Sequence, residues 1–319
     1  MLTAAVCGEV FASPSVEAVL AGILAVTGEA GCLLIVKNYT GDRRNFGLAA
    51  ERARAVGRKV EMVVVDDDIA LPDLPQPRGG AGTLFVHKIA GALAEDGASL
   101  DDVAKAARSV IGKVVSIGMS LDTCTIPGSS KEDRIGPGKA ELGLGIHGEP
   151  GVDQVDFSGA SGAMNTVVEK LKGHAQEGDN IAIINNLGST TPLEMSVLTH
   201  SLTESGIIKS VIGPAPLMTS LNMHGFSVSI MNATRAEYDA LAASVPMSAW
   251  PGLAEVAAPL VVGLPDGLTP IEPIPSKNAK TREVIAKVAD LQISAEGQLT
   301  QLDGRFFGRD PCDIFYCGW

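Results

Sequence analysis

Basic residues are in deficit in this sequence. Lys and Arg number 25 against 37 Asp and Glu, a formal net charge of -12. That balance argues against nucleic acid or an anionic membrane surface as partner, although backbone N–H groups can still build a local phosphate site in an acidic protein. Cysteine is scarce too. Cys7, Cys32, Cys124, Cys312 and Cys317 are scattered, odd in number and without zinc spacing, a pattern of a reduced, cytoplasmic compartment rather than a disulfide scaffold. Long apolar runs are missing: none approaches the ~20 residues of a spanning helix, and no basic-then-apolar leader opens the chain. What remains is 45% hydrophobic and 19% charged over 319 residues, enough for two α/β domains of ordinary size with buried cores.

Strand and helix signals alternate along the first half. Val16 to Val26 is apolar with helical spacing behind Ser13-Pro14-Ser15, and Gly31 to Val36 is a continuous apolar run of buried-strand length. Lys37-Asn38-Tyr39-Thr40-Gly41-Asp42 follows as a polar loop, Asn45 to Val56 as a helix, and Val60 to Val65 as the next strand, ending in three aspartates. A strand–loop–helix–strand unit places its ligands beyond the carboxyl ends of its strands. Lys37 and Asp42, a cation and an anion in one such loop, suit a polar ligand there. The run Arg78-Gly79-Gly80-Ala81-Gly82-Thr83 reads as a flexible loop after the Pro72 to Pro77 turn, the phosphate-loop alternative lacking a clean preceding strand. Helices are expected over Ala81 to Glu95, with His87 packed, and over Leu100 to Lys113 behind Ser99; Val114 to Leu121 is a strand.

The sequence is organised around Gly145-Ile146-His147-Gly148-Glu149-Pro150-Gly151. Leu142-Gly143-Leu144 before it reads as a strand end running into a tight loop, where glycines let the backbone approach a small ligand. His147 is the group in that loop able to act as nucleophile or proton carrier near neutral pH, the alternative being a structural turn whose histidine is a satisfied surface residue. The pattern then repeats in kind: helix Gly162 to Lys172, strand Asn180 to Ile184, helix Leu193 to Ser205, strands Ile207 to Ile212 and Phe226 to Met231, helix Arg235 to Ala243. His224 reads as a packed strand-end residue, and His174 and His200 as surface or packing residues. Prolines punctuate the chain from Trp250, and a further helix runs from Lys280 to Leu291. The expected architecture is two consecutive α/β domains with parallel or mixed sheets, over 1–128 and 129–250, joined through Ser129 to Lys139. A proline-rich linker over 251–278 and a last segment over 279–319 follow.

Several motifs in this order resemble the substrate-binding K domain of dihydroxyacetone kinases: Lys37 to Asp42, Phe85 to Ala92, Cys124 to Pro127, Gly145 to Gly151, Asn186 to Gly188 and Thr219 to Ser227. The resemblance runs from Met1 to about Trp250. It implies that His147 attacks the ketone of dihydroxyacetone and holds it as a hemiaminal, a tether for a small, weakly binding triose. It implies that Lys37 and Asp42 bind substrate hydroxyls, Asp42 making the reactive hydroxyl more nucleophilic. A related tetrose would share the hydroxyketone.

Two departures shape the remaining expectations. The family's Gly-Gly-Gly-Ser-Gly-His-Glu-Pro loop, whose histidine is the general base, has no counterpart, as if the chain began at an internal methionine. Leu291 to Asp303 resembles the entry to the family's nucleotide-binding domain, where a Gly-Asp-Gly-Asp motif holds Mg²⁺ and phosphates. Asp303 matches the first aspartate, and Gly304 to Asp310 does not supply the rest. The segment 279–319 is therefore expected to be an incomplete start of that domain, Mg-ATP to belong to the complete enzyme, and no metal site to lie on this chain beyond a remnant at Asp303. A nucleotide-binding domain or subunit and a second copy of the chain are the expected protein partners. The alternative is a ketose-binding module that transfers nothing.

Overall fold

The computed structural model describes residues 1–71, 76–143, 145–147, 149–175, 178–257 and 278–303, the last of these with side chains to 294. Along the chain the elements are α1 (Val16–Val26), β1 (Cys32–Lys37), α2 (Thr40–Ala55), β2 (Val60–Val65), α3 (Thr83–Glu95), α4 (Leu100–Ile111), β3 (Val115–Ser120), β4 (Lys139–Leu142) and β5 (Asp153–Asp156). After these come α5 (Ala160–Lys172), β6 (Asn180–Asn186), α6 (Pro192–Glu204), β7 (Ser210–Ala215), β8 (Gly225–Asn232), α7 (Arg235–Ala242), β9 (Leu253–Glu255) and α8 (Ala279–Asp303). Helix starts follow local chemistry: Ser15, Ser99, Thr191 and Thr234 each accept a backbone N–H in the first turn, satisfying donors the helix leaves orphaned.

β1 and β2 pair in parallel from Cys32↔Val60 to Lys37↔Val65. The other strands form one mixed sheet in the order β5-β4-β3-β8-β6-β7-β9, so the α/β class expected above holds. β3 lies before residue 128 and hydrogen-bonds to both β4 and β8 beyond it, and Met1–Glu255 forms one compact unit. The stretch between Ser129 and Lys139 packs back on this unit: Ile135 is buried, and Arg134 pairs with buried Glu141. Leu253–Glu255, within the stretch read as linker, pair antiparallel with β7. The second unit begins at Val256; its residues 258–277 and 304–319 lie outside the described residues.

Among the described residues, two of the apolar clusters of the first unit bear on the strands that end at the site. One joins Phe85, Val86 and Ile89 of α3 to Val63, Val65, Val103, Val110, Ile181, Ile183 and Ile212. The other packs Val19 and Ile23 of α1 and three alanines of α2 on Leu34, Val36 and Val60. Alanine at Ala49, Ala50 and Ala53 brings the helix close to the strands. Buried Lys88 donates to the carbonyls of Ala240 (2.7 Å) and Ala243 (2.6 Å), groups that the end of α7 leaves without helical partners.

Candidate active site

A cleft opens beyond the carboxyl ends of β1 and β2, lined by Tyr39, Gly79, Gly80, Gly118, Gly145, Ile146 and neighbours. Lys37 is the last residue of β1. Asp42 falls in the first turn of α2, because the helix begins at Thr40 rather than near Asn45. An acidic residue there is favoured by the partial positive charge of the helix start. Burial pushes the Lys37 ammonium below its ordinary range, and the charges of Asp67 and Asp42 oppose the shift. Lys37 and Asp42 thus share one electrostatic environment.

The floor of the cleft is the run from Gln76 to Gly82, read above as a flexible loop and here closely bonded. Buried Asn38 donates to the carbonyl of Pro77 at 2.7 Å and accepts at its own carbonyl from Gln76 (3.1 Å). Fully buried Asp67 accepts from the backbone of Gly80 (2.6 Å) and Gly82 (2.9 Å) and from Ser116 Oγ. Burial pushes the Asp67 carboxyl up, and those hydrogen bonds oppose it. A Cβ at Gly79 would lie 2.6 Å from the carbonyl oxygen of Val65 and 2.8 Å from Lys37 Cβ, so only glycine lets the run lie on the strand ends.

His147 stands on the connection between β4 and β5, which pair from Lys139↔Asp156 to Leu142↔Asp153. β5 has no counterpart in the sequence reading, since Asp153-Gln154-Val155-Asp156, with one apolar residue among four, gives little strand signal. Gly143 turns out of β4 with φ +71°. Gly145 N–H donates to the carbonyl of Glu149 at 2.9 Å, Gly151 N–H to Glu141 Oε1 at 2.6 Å, and Ser220 Oγ to the carbonyl of Ile146. The Glu149 carboxylate meets His147 twice, at the backbone N–H (3.0 Å) and at Nδ1 (2.9 Å). Burial pulls that carboxyl upward, but the bonds from His147 and the backbone outweigh it and hold the group down to about 2. Two rings flank the imidazole edge-on, Phe11 at 5.2 Å and Tyr39 at 4.6 Å between centroids.

Tyr39 is what brings the two predicted arms together. It follows Lys37 by two residues, directly precedes the helix that carries Asp42, lines the cleft and touches the ring of His147. Sequence reasoning passed over Tyr39, Phe11, Glu149 and Arg78 as site residues; the signal available was their place within or beside the quoted motifs. The remaining motifs converge nearby: Cys124, Leu187 and Met223 form a small buried cluster against Phe11 and Leu221, and Asn222 pairs with Thr125. The other histidines stand on other elements. His224 packs beside fully buried Glu194 (3.2 Å), while His174 and His200 are exposed. His87 is half-buried on α3, where burial, aided by the Lys37 charge, pushes its imidazole down to about 4.

A family model described as the Dak1 domain matches residues 1–249. The chain belongs to the dihydroxyacetone kinase family. Within that family, dihydroxyacetone kinase of Citrobacter freundii is 46% identical over 320 residues, covering 99% of this chain and 58% of its own length. The dihydroxyacetone-binding subunit of a PTS-dependent dihydroxyacetone kinase of Listeria innocua is 39% identical over 264 residues, covering 78% of this chain and 80% of its own. The crystal structure of the C. freundii kinase with AMP-PNP and Mg²⁺ superposes with a TM-score of 0.81 at 45% identity, over 93% of this chain and 57% of that one. The chain spans about half the length of the first curated relatives it matches, 58%, 52% and 48%. Among the described residues no helix is long and apolar enough to cross a membrane.

Proposed function

We propose that this chain supplies the ketose-binding part of a dihydroxyacetone kinase, with His147 holding dihydroxyacetone as a covalent hemiaminal and Lys37 and Asp42 taking its hydroxyls. The observation that carries the reading is the pairing of His147 with Glu149. An ionised carboxylate only accepts, so Nδ1 carries the ring proton and the lone pair of the neutral imidazole is left on Nε2. Nε2 forms the bond to the carbonyl carbon as the C=O π pair moves to oxygen. The ring gains positive charge in that step, and Glu149 lies against it. The oxygen takes up a proton, and the ring returns to neutral by releasing the one on Nδ1. Phe11 and Tyr39 restrict the imidazole, so little orientational freedom is left to lose.

Asp42 accepts from the hydroxyl to be phosphorylated and Lys37 donates to a substrate oxygen. The phosphoryl group comes from Mg-ATP, or from a phosphorylated donor, held by another domain or subunit. The names of the C. freundii complex and the Listeria subunit support both routes. Among the described residues no group of three His, Cys, Asp or Glu could hold a metal ion. Asp303 ends α8 and its side chain lies outside the described residues, so the donor side of the transfer is left to that other domain or subunit. A homodimer fits β1, which has β2 as its one strand partner among the described residues, an edge open to pairing. Calorimetry with dihydroxyacetone and with glycerol separates the carbonyl from the hydroxyls. Much tighter binding of dihydroxyacetone is expected, and equal affinities would remove the case for a covalent tether.

A further inference from the structure

Arg78 is 8% exposed and is held on two sides. Its Nε donates to Asp68 Oδ2 at 2.7 Å, and Nη2 reaches the same carboxylate and the carbonyl of Gly143, each at 2.7 Å. The guanidinium therefore ties the end of β2 to the first residue after β4. Nη1 is buried and has no hydrogen-bond partner among the described residues, an arrangement that costs free energy unless the charge is used nearby. A Cβ at Gly145 would lie 2.8 Å from this Nη1 and 2.0 Å from Glu149 Oε2. The free corner of the guanidinium and the carboxylate that engages His147 thus face one another across a glycine.

We infer that Arg78 is a positioning residue that fixes the imidazole tautomer of His147 through Glu149. The inference rests on the reading of His147 given under Proposed function, but it concerns the protein before any ligand arrives. The Glu149 side chain is 38% exposed, so water competes with Nδ1 for its oxygens. The Asp68 charge also acts on Glu149, and these like charges repel. Arg78 stands between them, matches Asp68 and leaves positive charge behind Glu149. Without it, Asp68 is unmatched, Gly143 loses its anchor, and Glu149 is free to turn to solvent. Nδ1 then loses its acceptor, and the proton redistributes toward Nε2, the nitrogen needed for addition. Among the described residues, Glu149 and Tyr39 are the titratable groups at the ring, and the charges of Arg78, Asp68 and Asp67 reach Tyr39.

¹⁵N NMR of the imidazole nitrogens, on the ligand-free full chain at alkaline pH, reads the tautomer directly. Wild type is expected in the Nδ1–H form. Arg78→Gln keeps hydrogen-bonding capacity without the charge and is expected to raise the Nε2–H form several-fold, whereas Arg78→Lys is expected to restore most of the Nδ1–H form. A folded Arg78→Gln variant with the wild-type tautomer would overturn the inference, as would an equal shift in Arg78→Lys. If Arg78→Gln does not fold, Arg78→Lys decides alone: retention of Nδ1–H supports the role and its loss overturns it. Carbonyl-labelled dihydroxyacetone added afterwards reports separately. A wild-type protein with the Nδ1–H tautomer and no adduct would sink the hemiaminal and leave the role of Arg78 standing.

Discussion

Lys37 and Asp42 stand on regular secondary structure, one ending a strand and the other opening a helix, whereas His147 stands on the connection between two four-residue strands. The first pair is placed by backbone ladders and by helix packing that the whole unit shares. The histidine is placed by a handful of side-chain contacts: Glu149 at Nδ1, two aromatic edges, Ser220 on the carbonyl before it. Geometry held by elements tolerates change in neighbouring side chains, because no single one sets it. Geometry held by a loop depends on each contact, since a misplacement near 1 Å is enough to cost about a hundredfold in a reaction step.

That contrast can be broken at Gly145. A methyl group there collides with the Glu149 carboxylate and crowds Arg78, so Gly145→Ala is expected to displace Glu149 and lower ketose affinity by roughly a hundredfold while thermal stability changes little. Affinity within a factor of a few of wild type, by calorimetry, would show that the loop does not set the histidine. On the other arm, Asp42→Asn keeps the shape and removes the charge. A charge-assisted hydrogen bond is worth about 1.5–3 kcal/mol, so ketose affinity is expected to fall by roughly one to two decades with the fold intact. An unchanged affinity would make Asp42 an ordinary helix-start acid.

How much of this was legible before the structure follows the same division. Continuous apolar runs at β1, β2 and β6 and serine or threonine caps announce their elements, because burial on both faces and orphan N–H groups demand those residue types. The beginning of α2 was placed late because Thr40-Gly41-Asp42 has the composition of a turn, and it is tertiary packing of Ala49, Ala50 and Ala53 that extends the helix back over it. β5 and β9 escaped notice: pairing with β4 and β7, not their own four and three residues, makes them strands. At the site, the roles proposed for His147, Lys37 and Asp42 rest on the resemblance. The roles of Arg78 and Tyr39 depend on contacts 65 and 108 positions apart in sequence, from Arg78 to Gly143 and from Tyr39 to His147, which no local pattern encodes. The glycine run over 79–82 was read as flexible because its anchor, Asp67, lies before the prolines.

A smaller effect sharpens the boundary between cleft and scaffold. His87 is kept neutral by burial and by Lys37, with its imidazole near 4 against an unfolded value near 6.5. The folded chain therefore binds fewer protons than the unfolded chain between these values. The stabilisation from the neutral ring is complete above about pH 6.5 and is lost as pH falls toward 4, by about 3 kcal/mol. His87→Gln is expected to flatten that part of the pH dependence in urea unfolding and to leave ketose affinity at neutral pH close to wild type. Equal slopes in the two proteins would place His87 in contact with solvent.

The central claim is that His147 takes the ketose covalently, through the nitrogen that Glu149 leaves free. ¹³C NMR of carbonyl-labelled dihydroxyacetone with the purified chain tests it most directly. Wild type is expected to convert the bound ketone carbon to a tetrahedral, nitrogen-bearing carbon, and His147→Ala to abolish that signal while the fold persists. A ketone resonance that stays trigonal in wild type, or a tetrahedral adduct that survives in His147→Ala, would contradict the account.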